Sequence, residues 1–116
     1  MEENIHLKIS EDVIATIAVR TITSIEGVHE MSGGIMSGIN NMLGKKMPTY
    51  GIKADVEDGK IYIDAYIVVE YGVKIPDIAW DIQDKVKKEL EEVTGMTVET
   101  INVHIQGINF DKEEKE

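Results

Sequence analysis

The chain has 116 residues, 42% of them hydrophobic and 29% charged, which suits one globular domain built on a single core. Its 22 acidic and 12 basic residues leave a net charge of −10, a field that repels nucleic acid and anionic lipid. With no cysteine, disulfides, thiol catalysis and zinc–thiolate sites are excluded.

The N-terminal Met1-Glu2-Glu3-Asn4 has no apolar stretch, and no run approaches the ~18 apolar residues of a spanning helix. A cytoplasmic, soluble protein with no direct membrane insertion is therefore expected. Ile5, Leu7 and Ile9 alternate with His6 and Lys8 as a short strand. Ser10 suits a helix N-cap, and Glu11 and Asp12 sit where the positive helix end favours acid. On a helical wheel Val13, Ile14, Ile17, Ala18, Thr21, Ile22 and Ile25 share one face, and Gly27 marks the stop. The many β-branched residues lower intrinsic helix propensity, so this helix depends on packing. Val28 to Met31 starts another strand.

Residues 31–50 differ from the rest, holding Met31, Met36, Met42 and Met47 among Gly33, Gly34, Gly38 and Gly44. Two readings stay open. One is a connection whose apolar residues fold back on the sheet. The other is a mobile docking segment in which Met36, Ile39, Met42 and Leu43 present a short, adaptable apolar surface. Gly33-Gly34 with Ser37-Gly38 lacks the Lys-Ser/Thr ending of a phosphate loop, and Lys45-Lys46 lie too far along.

Alternation then resumes on both sides of Asp58-Gly59, a strong signal for a two-residue hairpin turn. That turn fixes the register: Glu57 faces Lys60, Val56 faces Ile61, Asp55 faces Tyr62, Ala54 faces Ile63, and Lys53 faces Asp64. A slip of one residue would ruin both faces at once. Tyr62 and Tyr66 fall on one face of the second strand, either as sheet-stabilising aromatics or as a small ligand platform.

Pro76 opens a second helix and Gly95 closes it. Its stripe is Ile78, Ala79, Ile82, Val86, Leu90 and Val93, and Trp80 points away from it. Trp80 is thus either an interface residue or one covered by a loop. The final strand alternates Ile101, Val103 and Ile105 with polar residues, and Gly107 marks a bulge that shifts Ile108 and Phe110 to the apolar face. Residues 111–116 read as a charged tail.

The expected fold is α+β. It is a two-layer sandwich of a mixed β-sheet with a central β-hairpin, and two helices cover one face in a β-α-β then β-β-α-β pseudo-repeat. Residues 1–110 form one domain. The other sheet face is polar, with Tyr62, Tyr66, Lys53, Asp64 and His104. No nucleophile–base arrangement is readable, and His6, His29 and His104 have no evident carboxylate spacing. The expectation is no catalytic residue, no metal and no cofactor. The candidate partner-binding residues are Trp80, Tyr62, Tyr66, Met36, Ile39, Met42 and Leu43.

One resemblance joins these segments. Ile63 to Pro76, Ala79-Trp80-Asp81-Ile82-Gln83 and Val103-His104-Ile105-Gln106-Gly107-Ile108 resemble the alkaline-shock, envelope-stress-response family of Gram-positive-type bacteria. The likeness extends to Ile9-Ser10, Glu26-Gly27-Val28 and the Gly-rich middle, in the minimal, single-domain type. It implies a non-enzymatic interaction or scaffold protein tied to cell-envelope homeostasis. Its partner would be a protein, membrane-anchored in some members, and homo-oligomers remain open. The alternative is a small regulatory subunit that binds an enzyme of fatty-acid or acyl metabolism.

Overall fold

In the computed structural model, which describes residues 8–33 and 49–110, Asp58 and Gly59 both take positive φ, 54° and 75°. This two-residue turn joins β2 (Ile52–Glu57) to β3 (Lys60–Glu70). The register is the expected one, from Glu57 opposite Lys60 to Lys53 opposite Asp64. A Cβ built at Gly59 meets no atom within 4 Å, so backbone conformation alone selects glycine there. Gly59→Val is expected to cost about 1–3 kcal/mol through strain, read as a lower urea midpoint. An unchanged midpoint would refute the assignment of strain to this turn.

β3 organises the sheet. β4 (Thr97–Asn109) runs parallel to it along Lys60 to Glu70 and so occupies one whole edge. β1 (Val28–Met31) and β2, both antiparallel to β3, must therefore share the other edge end to end. At their junction the Ser32 amide donates to the Tyr66 carbonyl at 2.7 Å, and the Tyr66 amide donates to the Gly51 carbonyl at 2.8 Å. The β4 register shifts between Ile105 and Gly107, which places the bulge where the glycine suggested. Ile108 then lies opposite Val69, yet it remains 43% exposed, and Phe110 is 50% exposed against the Tyr71 ring. Ile108 is the penultimate residue of β4, and Phe110 follows the strand's last residue, Asn109.

Helix α1 (Glu11–Thr23) starts at Ser10, whose Oγ accepts from the Val13 amide at 3.2 Å. It ends at Thr23, four residues before Gly27. The Thr21, Thr23 and Ser24 hydroxyls all donate to carbonyls of the preceding turn, a competition that ends a helix of modest propensity. Its buried face is Ile14, Ala15, Ala18 and Ile22, whereas Val13 is 48% exposed. The face is rotated towards the alanines because α1 packs on β1, β2 and the second helix together, and small residues permit that close approach.

Helix α2 (Ile75–Thr94) has Pro76 in its first turn and Gly95 as its cap, with the Gly95 amide donating to the Glu91 carbonyl. Ile78, Ile82, Val86 and Leu90 are buried as the wheel requires. In the last turn Thr94 is buried instead of Val93, which is 54% exposed. Thr94 can be buried because its hydroxyl donates to the Leu90 carbonyl and accepts from the Met96 amide.

Both helices cover the face to which β3 turns Ile61, Ile63, Ala65, Ile67 and Val69, all essentially inaccessible. The result is the expected α+β two-layer sandwich on a mixed sheet. Of the anticipated first strand, Ile5 and Leu7 lie outside the described residues. Lys8 to Ser10 belong to no strand, and Ile9 packs against the core. The candidates Met36, Ile39, Met42 and Leu43 also lie outside the described residues.

Candidate functional site

Strand alternation sends the even-numbered residues of β3 to the face away from the helices: Tyr62, Asp64, Tyr66, Val68 and Glu70, all half-buried. The parallel neighbour sets Thr100 beside Tyr62, Asn102 beside Asp64 and His104 beside Tyr66. That register assembles a cluster. The His104 Nε2 and Asn102 Nδ2 groups each donate to Asp64 Oδ1 at 3.1 Å. The Tyr66 and His104 rings stack with centroids 4.3 Å apart and planes 9° from parallel. Tyr62 shares this face but stands apart from the stack, opposite Asp55 on β2.

A second grouping of the same residue types lies six positions along β3. His29 Nδ1 donates to Glu70 Oε2 at 3.1 Å, and Asn109 Nδ2 donates to Glu70 Oε1 at 3.0 Å. Asn109 Nδ2 also lies 3.2 Å from His29 Nδ1. That nitrogen cannot donate and accept together, and the carboxylate is the stronger partner. Sequence spacing did not reveal either histidine–carboxylate pair, because both depend on tertiary pairing between strands distant along the chain.

The hydrogen bond from His104 holds the Asp64 carboxyl below its ordinary value of 3.8. Burial opposes the shift, while the Asn102 hydrogen bond and the charges of His104 and Lys53 add to it. A depressed carboxylate pKa means that the unfolded chain binds protons first as the pH falls. The pair therefore contributes stability above about pH 3.8 that is lost as pH drops through the lower, folded value. Asp64→Asn is expected to lower stability near neutrality and to converge on wild type below that range. Parallel acid limbs in pH-dependent urea midpoints would contradict this.

Chemically, this face offers hydrogen-bonding groups and aromatic surface. Among the described residues, no group of three His, Asp or Glu side chains converges as metal ligands. No helix among them is long and apolar enough to cross a membrane.

Trp80 lies elsewhere, on the helical layer, and is 62% exposed. The structure therefore separates the described candidates: Tyr62 and Tyr66 on the sheet face, Trp80 on α2. The stripe of α2 that includes Trp80 also contains Gln83, Lys87 and Glu91, and these three reach the outer edge of β4. Gln83 Nε2 donates to the Ile101 carbonyl at 3.1 Å. Glu91 Oε2 accepts from the Val98 amide at 2.9 Å, and Lys87 Nζ donates to the Val98 carbonyl at 3.4 Å. Lys87 is also paired with Glu91 at 2.7 Å, and this contact, with the Val98 amide, holds the Glu91 carboxyl below its ordinary range. Gln83, Lys87, Val98, Glu99, Thr100 and Ile101 line a shallow groove there. Sequence reasoning missed these contacts; the polar residues at i, i+4 and i+8 beside the apolar stripe were their one available signal.

Comparison with known proteins gives a consistent result. Residues 1–110 match the model of the alkaline shock protein 23 family, described as having a cell envelope-related function. The chain is 37% identical to YqhY of Bacillus subtilis, over 98% of this chain and 87% of that protein. It is 25% identical to a stress response regulator Gls24 homolog of Streptococcus pyogenes, over 88% of this chain and 58% of the homolog. Among solved structures, the nickel form of a MamM CTD variant aligns with a TM-score of 0.57, over 83% of this chain and 96% of that one. At 13% identity that likeness shows the fold alone. On the family match and the 37% identity over nearly its whole length, the chain belongs to the alkaline shock protein 23 family, whose described function is cell envelope-related.

Proposed function

We propose that this chain is a non-enzymatic interaction or scaffold protein of cell-envelope homeostasis, acting through a protein partner that is itself membrane-anchored. Trp80 is the observation behind this reading. A tryptophan 62% exposed, on a helix that already buries Ile78, Ile82, Val86 and Leu90 without it, adds little to folding. Exposed tryptophans of this kind are frequent anchors of interfaces. The acidic surface, at net charge −10, supports a protein partner over nucleic acid or anionic lipid.

The test is in-cell cross-linking and capture with wild type and Trp80→Ala. Because Trp80 is exposed, the variant should lose far less than the ~3–5 kcal/mol of an emptied buried aromatic site. Partner recovery should fall by at least about 30-fold, the equivalent of a hot-spot contact. Recovery of a membrane protein by wild type, reduced in the variant, supports the reading. Recovery of a soluble acyl-metabolism enzyme would favour a regulatory subunit instead. A large fall in urea midpoint with recovery intact would return Trp80 to the monomer core and remove it as an anchor.

A further inference from the structure

Among the described residues β4 pairs only with β3, so no described strand occupies its other edge. The first part of that edge is covered. Lys87 and Glu91 meet Val98, and Gln83 meets Ile101, so α2 and β4 run antiparallel, with earlier helix residues meeting later strand residues. Backbone groups of alternate strand residues point to the same edge, and the next register shift comes only after Ile105. Val103 and Ile105 therefore present their amides and carbonyls beside that of Ile101. Val103 is ~6.6 Å beyond Ile101 along the strand. Trp80 precedes Gln83 by three residues, or ~4.5 Å of helix rise, on the same stripe. The row of polar side chains capping the edge thus gives way to Trp80 level with the first uncapped residue.

We propose that the β4 edge at Val103 and Ile105 accepts an added strand from a basic, extended segment of a partner protein, packed against Trp80. This deepens the interaction reading above and rests on it. Charge selects the occupant. Asp77 and Asp81 lie within three positions of Trp80, Asp84 being paired with Lys88, and the whole chain carries −10, which opposes a second copy and attracts lysine or arginine. The added strand gains main-chain hydrogen bonds from the edge, while its cationic side chains reach the indole face and the carboxylates.

The probe is a synthetic nine-residue peptide of alternating valine and lysine, with a valine–glutamate peptide as its charge-reversed control. Trp80 is the single tryptophan, so its fluorescence reports this site alone. The lysine peptide should shift the emission and slow exchange of the Val103 and Ile105 amides at least tenfold, and Trp80→Ala should weaken binding at least about 30-fold. The glutamate peptide should do neither. Equal effects of both peptides, or none, would overturn the proposal. So would protection of these amides in the free protein together with sedimentation as a dimer, which would assign the edge to a second copy. A captured cellular partner that ignores Trp80→Ala leaves the interaction function standing and removes this site. Lysine-peptide docking without any cellular partner supports the site and removes the envelope reading.

Discussion

Ile63→Ala is expected to lower the stability of this domain by about 2–5 kcal/mol, a large share of the ~5–15 kcal/mol that holds a typical domain folded. Ile63 is wholly buried, opposite Ala54 on β2 and Ile101 on β4, at the centre of the face covered by both helices. Its small neighbour Ala54 cannot expand into the space left, and strands on both sides of β3 are held by backbone pairing. The cavity therefore persists, which places the cost in the upper half of that range. Urea unfolding measures it. Val93→Ala is the internal control, because the sequence pattern puts Val93 on an apolar stripe while the structure leaves it 54% exposed. A loss below ~1 kcal/mol there, beside a loss several times larger at Ile63, is the expected contrast. Equal losses would contradict the described core.

The contrast between those two residues marks what could be read in advance. The hairpin was legible to the residue, since Asp58-Gly59 and the alternation around it are local signals with a single consistent register. The apolar stripe of α2 was legible for its first four turns. Val93 broke the pattern because the last turn buries Thr94, whose hydroxyl is satisfied within the helix end, and no wheel records that. The end of α1 was misjudged for a related reason: three hydroxyls bonding backward outweighed the more visible glycine.

The site was less legible than the fold. Helical period turned Trp80 away from the apolar stripe, and the structure decides between exposure and cover by a loop, leaving it 62% exposed. The Asp64–His104 and Glu70–His29 pairs had no such local signal, because 40 and 41 residues separate their members and the strand order decides whether they meet. Once β3 and β4 are known to be parallel with Tyr66 beside His104, the first cluster follows at once from side-chain alternation. The capping of β4 by Gln83, Lys87 and Glu91 similarly needs the docking of α2 against an edge, which residue spacing does not encode. Local signals settled the hairpin and most of the α2 stripe; partners across the sheet required its topology.

Gly51→Ala tests the least obvious consequence of that topology. β1 and β2 meet end to end on one edge of β3, and Gly51 is where the chain enters β2. Its φ is +82°, a conformation that costs an L-residue on the order of 1 kcal/mol or more. A Cβ at this position would also lie 2.8 Å from Met31 Cβ and 2.9 Å from the Ser32 carbonyl oxygen, with the Ser32 amide nitrogen at 3.1 Å. The last two are backbone atoms, and the Ser32 amide is already committed to the Tyr66 carbonyl, so no rotamer change relieves the overlap. Moving Gly51 instead would strain its carbonyl bond to the Tyr66 amide. Gly59→Ala supplies the matched comparison, because its φ of +75° is nearly the same while its Cβ would meet nothing within 4 Å. The expected result is a loss of ~1 kcal/mol at Gly59 and ~3 kcal/mol or more at Gly51, the difference being the overlap. Amide exchange should locate it: in Gly51→Ala the Ser32 and Tyr66 amides should exchange faster, while those along the middle of α2 keep their protection relative to global stability. Equal losses at the two glycines would mean that β1 and β2 part without resistance and that the shared edge of β3 is not a close-packed junction.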